Sequence, residues 1–111
     1  MWLLDVNLPN GLRRVLEKLG QTSETTAFRG WRDLGNGVLA AAASQAGFRA
    51  ILTRDRLFGE SAGKALQTHP DLAVVILKIS QSREAAYLTE FEKQWAVRPI
   101  RPEPGKVIEW P

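Results

Sequence analysis

Apolar residues along this chain alternate between two spacings, and the alternation predicts the fold. Short apolar runs at Trp2-Leu3-Leu4, at Phe48 to Thr53 and at Leu72 to Leu77 have the length and composition of strands. The third is nearly continuous, the mark of a strand buried on both faces. Between the first two runs, Leu8, Leu12, Val15, Leu16 and Leu19 recur at the spacing of an amphipathic helix. Asn7 can cap that helix, Pro9 is tolerated in its first turn, and Gly20 is a natural stop. A second helix is predicted through Val38, Leu39 and Ala40 to Ala43, capped by Asn36 or a neighbour and ended by Gly47. A third is predicted from Ser82 as cap, with Ala85, Leu88, Phe91 and Trp95 as its buried stripe.

The remaining segments are less regular. Ser23 to Phe28 is rich in β-branched residues and favours a short strand, and Arg29 to Gly35 forms a loop. Gly59, Gly63 and Pro70 punctuate Arg54 to Pro70, which predicts a loop with one helical turn around Ala62 to Gln67. Pro99, Pro102 and Pro104 exclude helix, so residues 98–111 form an extended arm with a short edge strand at Lys106 to Trp110. The resulting order predicts one domain over residues 1–111: a three-layer α/β/α sandwich with a mostly parallel sheet of four to five strands.

That topology gives two aspartates a shared address. Asp5 follows the first strand and Asp55 closely follows the strand ending at Thr53. Parallel strands bring their carboxyl ends to one edge, where ligands bind in open α/β sheets. Two carboxylates meeting there suit a hard cation such as Mg²⁺ or Mn²⁺.

Charge and composition narrow the classes. The chain has 15 Lys and Arg against 12 Asp and Glu, a net charge of +3 too mild to identify a partner by itself. Placement says more. Arg29 and Arg32 flank Trp31, and Arg54 and Arg56 bracket Asp55. Gathered at one edge, they make a basic rim around an acidic centre, as a phosphodiester substrate requires. Trp31 can stack on an unpaired base or cover the sheet edge. Absence of cysteine excludes disulfides and thiolate metal sites. No apolar run approaches the roughly 18 residues of a membrane span, and Asp5 interrupts the apolar start, unlike a signal peptide. The expected location is the cytoplasm.

Three segments, in this order, carry a family resemblance. They are Leu3-Leu4-Asp5-Val6-Asn7-Leu8-Pro9, Leu34-Gly35-Asn36-Gly37-Val38-Leu39 before an Ala-rich helix, and Ile51-Leu52-Thr53-Arg54-Asp55. Together they resemble the small PIN-like domains, compact relatives of the PIN nucleases often encoded as toxins of toxin–antitoxin modules. The similarity runs from about Leu3 to Leu77. It implies a Mg²⁺- or Mn²⁺-dependent ribonuclease, with Asp5 and Asp55 at acidic positions that bind metal, and an antitoxin protein as partner. Val6 and Val38 stand where the family commonly has glutamates.

The expected site is therefore a reduced one. Asp5 and Asp55 hold the cation, and Asp33 is the nearest replacement acid, with Glu60 able to lean in from the following loop. Asn7, Asn36, Arg32, Arg54, Arg56 and Trp31 are the candidate substrate contacts. The only histidine, His69, lies at the opposite end of a strand, and nothing has the spacing of a covalent acyl-transfer site. The alternative is a PIN-like module that binds RNA or protein with little or no turnover. A phosphorylatable receiver domain fits poorly, because Lys78 follows Asp55 too soon for the two βα steps between such positions. An exposed edge strand also makes a homodimer plausible.

Overall fold

Each strand alternates its side chains between two apolar layers, which is why the sheet lies in the middle of the molecule. Trp2, Leu4, Ala50, Leu52, Ala73, Val75 and Leu77 enter one core, while Leu3, Ile51, Val74 and Ile76 enter the other. This period of two is that of a pleated strand covered on both faces. The computed structural model describes residues 1–111, apart from the surroundings of Gly59 and the side chain of Glu60.

Five strands form the sheet: β1 (Trp2–Leu4), β2 (Ser23–Thr25), β3 (Ala50–Thr53), β4 (Ala73–Leu77) and β5 (Val107–Trp110). All pair in parallel, in the order β2-β1-β3-β4-β5. The chain therefore leaves β1 in one direction and β3 in the other, and the switch point lies between these two strands. Four helices cover the faces: α1 (Leu12–Lys18), α2 (Asn36–Gln45), α3 (Arg56–Thr68) and α4 (Glu84–Val97). Leu12 and Leu16 of α1 share one core with Tyr87 and Phe91 of α4. Leu39, Ala40 and Ala43 of α2 share the other with Phe58, Ala62 and Leu66 of α3. The three-layer α/β/α sandwich expected from the sequence is the fold, with five strands. No helix is long and apolar enough to cross a membrane.

The last crossover differs from the rest. The steps from β3 to β4 and from β4 to β5 run the same way along the sheet, yet α3 and α4 lie on opposite faces. The step through α4 thus has the opposite hand to the step through α3, against the strong rule for such units. The proline-rich stretch after α4 makes the return possible. Ile100 buries itself there, and the Trp110 indole N–H donates to the Arg98 carbonyl at 2.9 Å. Trp110 also packs on Phe91, with ring centroids 5.0 Å apart. The consequence for the site is direct: α4 begins at the carboxyl edge on the α1 side.

Three local expectations need correction. The first helix starts at Leu12, because the turn at residues 6–11 delays it, although Leu8, Leu12 and Leu16 are buried as the stripe requires. The segment expected to be a loop is the 13-residue helix α3, since Phe58, Ala62 and Leu66 recur every fourth residue against the sheet. The cap of α2 is Gly35, the neighbour of Asn36, within the expectation, and Asn36 is the first helical residue. Arg83, not Ser82, precedes α4, and the buried stripe is rotated to Tyr87 and Phe91, leaving Ala85 exposed.

Candidate functional site

The carboxyl ends of β1 and β3 are joined by one buried hydroxyl. Leu4 pairs with Leu52, and the Asp5 amide donates to the Leu52 carbonyl at 2.9 Å, which sets Asp5 level with Thr53. The Thr53 side chain is fully buried, and its Oγ1 donates to Asp5 Oδ2 at 2.8 Å. The same oxygen accepts the Asp55 amide at 3.0 Å and Asn7 Nδ2 at 3.4 Å. Asn7 Oδ1 accepts the Arg54 amide at 3.2 Å, and Asp5 Oδ1 accepts the Val6 amide at 2.8 Å. Thr53 is β-branched and suits a strand. Its hydroxyl also ties the two strand ends and both following turns together.

Above this network lies a cleft of about 440 Å³, on the face shared by α1 and α4. Asp5, Asn7, Arg32, Arg54, Glu84 and Tyr87 contribute to its walls. Glu84, at the start of α4, accepts the Gly11 amide at 3.1 Å. The Arg54 guanidinium lies 5.7 Å from the centre of the Tyr87 ring. It donates to the Asn7 carbonyl at 3.4 Å, and it has no ion-pair partner among the described residues. Burial raises the pKa of the Tyr87 hydroxyl above the ordinary tyrosine value, with the positive charge of Arg54 pulling the other way.

Of the residues singled out in the sequence, Asp5, Asn7, Arg32 and Arg54 line this cleft together. Asp55 does not. It caps α3, its Oδ1 accepting the Leu57 amide at 2.9 Å, and α3 lies on the far face of the sheet. The Thr53 hydroxyl links it to Asp5. Asp33 and Arg56 are exposed, Asn36 is half-buried, and none of the three lines the cleft. Trp31 packs edge-on against Phe48 at 6.1 Å, beneath the Arg29 guanidinium, so it covers the sheet edge. Arg29 pairs with Glu24. Of the four arginines expected to gather, two do. The side chain of Glu60 lies outside the described residues.

Two wall residues escaped the sequence reading. Glu84 and Tyr87 reach the cleft only because α4 takes the α1 face. The pair Tyr87 and Phe91, four apart, is the signal that would have placed Tyr87 inward.

The fit to a divalent ion is partial. Among the described residues, no group of three or more acidic, histidine or cysteine side chains is placed to hold one. Asp5 and Asp55 offer too few carboxylates for a pair of ions, and only Asp5 of the two stands on the cleft wall. Val6 and Val38 are exposed apolar side chains and add no ligand. No protein-family model matches the chain, and neither a curated protein nor a solved structure is significantly similar to it.

Proposed function

We propose that this protein is a divalent-cation-dependent ribonuclease of the PIN-like type with a reduced acidic site. The observation that carries the reading is the placement of the Asp5 carboxylate, at the β1/β3 switch point, in a cleft that also holds Arg32 and Arg54. Ligands of open α/β sheets bind at such a point. The two guanidiniums suit the phosphate backbone of RNA, and a single strand needs no groove reading to enter. Asp5 would hold one Mg²⁺ or Mn²⁺ from the cleft wall, and Asp55 would join it only by leaving its place as the cap of α3. When bound, the ion lowers the pKa of a water and stabilises charge on the phosphate. Thr53 fixes the Asp5 carboxylate by hydrogen bonding, and Asn7 holds the Arg54 backbone in register. In a cell this activity fits the toxin of a toxin–antitoxin module, restrained by an antitoxin protein.

A second reading has one observation in its favour. Asp55 already caps α3, which leaves Asp5 and Glu84 as the acids on the cleft wall among the described residues. On that reading the cleft binds RNA without turnover. Incubating the purified protein with a labelled single-stranded RNA and Mn²⁺ separates the two. Cleavage that chelator or Asp5→Ala abolishes supports the ribonuclease. Binding without cleavage supports the module, and cleavage unchanged by Asp5→Ala removes this cleft from the chemistry.

A further inference from the structure

Two unpartnered hydroxyls lie on the walls of the same cleft. Three buried side-chain oxygen or nitrogen atoms lack a hydrogen-bond partner among the described residues: Ser23 Oγ, Thr26 Oγ1 and the Tyr87 hydroxyl. Thr26 and Tyr87 both line the cleft above Asp5, and each is only 1% exposed. Buried polar groups are overwhelmingly paired, because an unmade bond forfeits the hydration the group has lost. Two such groups beside one cavity leave two donors for water or a ligand to satisfy.

Their neighbours indicate its charge. A hydroxyl donates, and Arg54 and Arg32 on the same cleft donate only. The Arg54 guanidinium rests over the Tyr87 ring and is tethered by one long bond to the Asn7 carbonyl. So weakly tethered, it is free to turn toward an incoming anion. We propose that Tyr87, Thr26 and Arg54 form a phosphate subsite, in which the two hydroxyls donate to the oxygens of one phosphodiester of a single-stranded RNA. This rests on reading the cleft as an RNA site, and it assigns Tyr87 as a substrate-positioning residue. Tyrosine is a protonated donor at neutral pH, and burial, which raises the Tyr87 pKa, keeps it so. The subsite needs no metal.

The test is Tyr87→Phe, which removes one oxygen and keeps the ring. Binding of a single-stranded RNA oligonucleotide and of inorganic phosphate is measured in chelator, alongside the urea midpoint. We expect RNA affinity to fall about tenfold, the scale of one hydrogen bond to a charged acceptor. The midpoint stays the same or rises, because the deleted hydroxyl had no partner. Thr26→Val lowers RNA affinity independently. A parallel loss of phosphate binding means the subsite also takes the free anion; a loss confined to RNA means it needs the diester. Unchanged RNA affinity in Tyr87→Phe overturns the proposal, as does a drop in the midpoint with affinity intact. The nuclease reading is judged separately. If RNA affinity falls as expected while the native protein never cleaves, the subsite stands without the enzyme. If the native protein cleaves with Mn²⁺ and Tyr87→Phe binds and cleaves as well, the enzyme stands without the subsite.

Discussion

Thr53 joins what the sequence showed only as separate motifs. Its hydroxyl serves Asp5, Asn7 and the Asp55 amide at once, so Thr53→Val leaves a carboxylate and an amide short of a partner. We expect that change to lower stability by about 1–3 kcal/mol in chemical denaturation, despite the matched shape. Asp55 supports a sharper distinction. As the cap of α3 it is replaceable by Asn, whereas Asp55→Ala is expected to lower stability by about 1 kcal/mol. If the carboxylate also holds the cation, Asp55→Asn keeps the urea midpoint and loses Mn²⁺-dependent cleavage. Retained cleavage would reduce Asp55 to a cap. Placing Asp5 at a strand end needed only the apolar run before it. The role of Asn7 was hidden, because a polar residue before a helical stripe has the signature of a cap. The partners it takes instead are 46 and 47 residues away in sequence.

Among the elements, legibility followed burial on both faces. The run from Leu72 to Leu77 and the stripe from Leu8 to Leu19 are dense enough in apolar residues to be read directly. The helix α3 was not, because its two internal glycines and the following proline outweigh three apolar positions by local propensity. Packing of Phe58, Ala62 and Leu66 reverses that balance. The helix therefore carries a removable penalty at Gly63, where an added Cβ meets nothing within 4 Å. Gly63→Ala is expected to raise stability by up to about 1 kcal/mol, read as a higher urea midpoint. A lower midpoint would mean that this glycine is needed by the native backbone. In α4, Phe91 sits between Trp95 at 5.9 Å and Trp110 at 5.0 Å. Phe91→Ala should lower stability by about 3–5 kcal/mol and loosen β5, visible as faster amide exchange in its last residues.

At the scale of the whole molecule, what remained illegible was the hand of one crossover. Right-handed steps throughout would place α4 beside α3, on the face away from the cleft. Its position beside α1 brings Glu84 and Tyr87 to the site and gives the cleft its inner wall. Tyr87 is the only tyrosine in the chain, so its ionisation can be followed directly by tyrosinate absorbance. Its pKa is raised in the folded state by burial, so the native protein holds the proton more tightly than the unfolded chain does. Stability from this group is complete below the ordinary pKa of about 10 and is lost as pH rises through the folded value. The urea midpoint should therefore fall above about pH 10, and less steeply in Tyr87→Phe. Equal slopes for the two proteins would separate Tyr87 from alkaline unfolding.

The cation is where the account is most exposed, and crystals soaked in Mn²⁺ address it directly through the anomalous scattering of that ion. We expect one peak in the cleft at the end of β1, within coordinating distance of the Asp5 carboxylate and absent from Asp5→Ala crystals. An ordered Asp5 with no peak beside it, or manganese bound only at unrelated surface acids, would contradict the account.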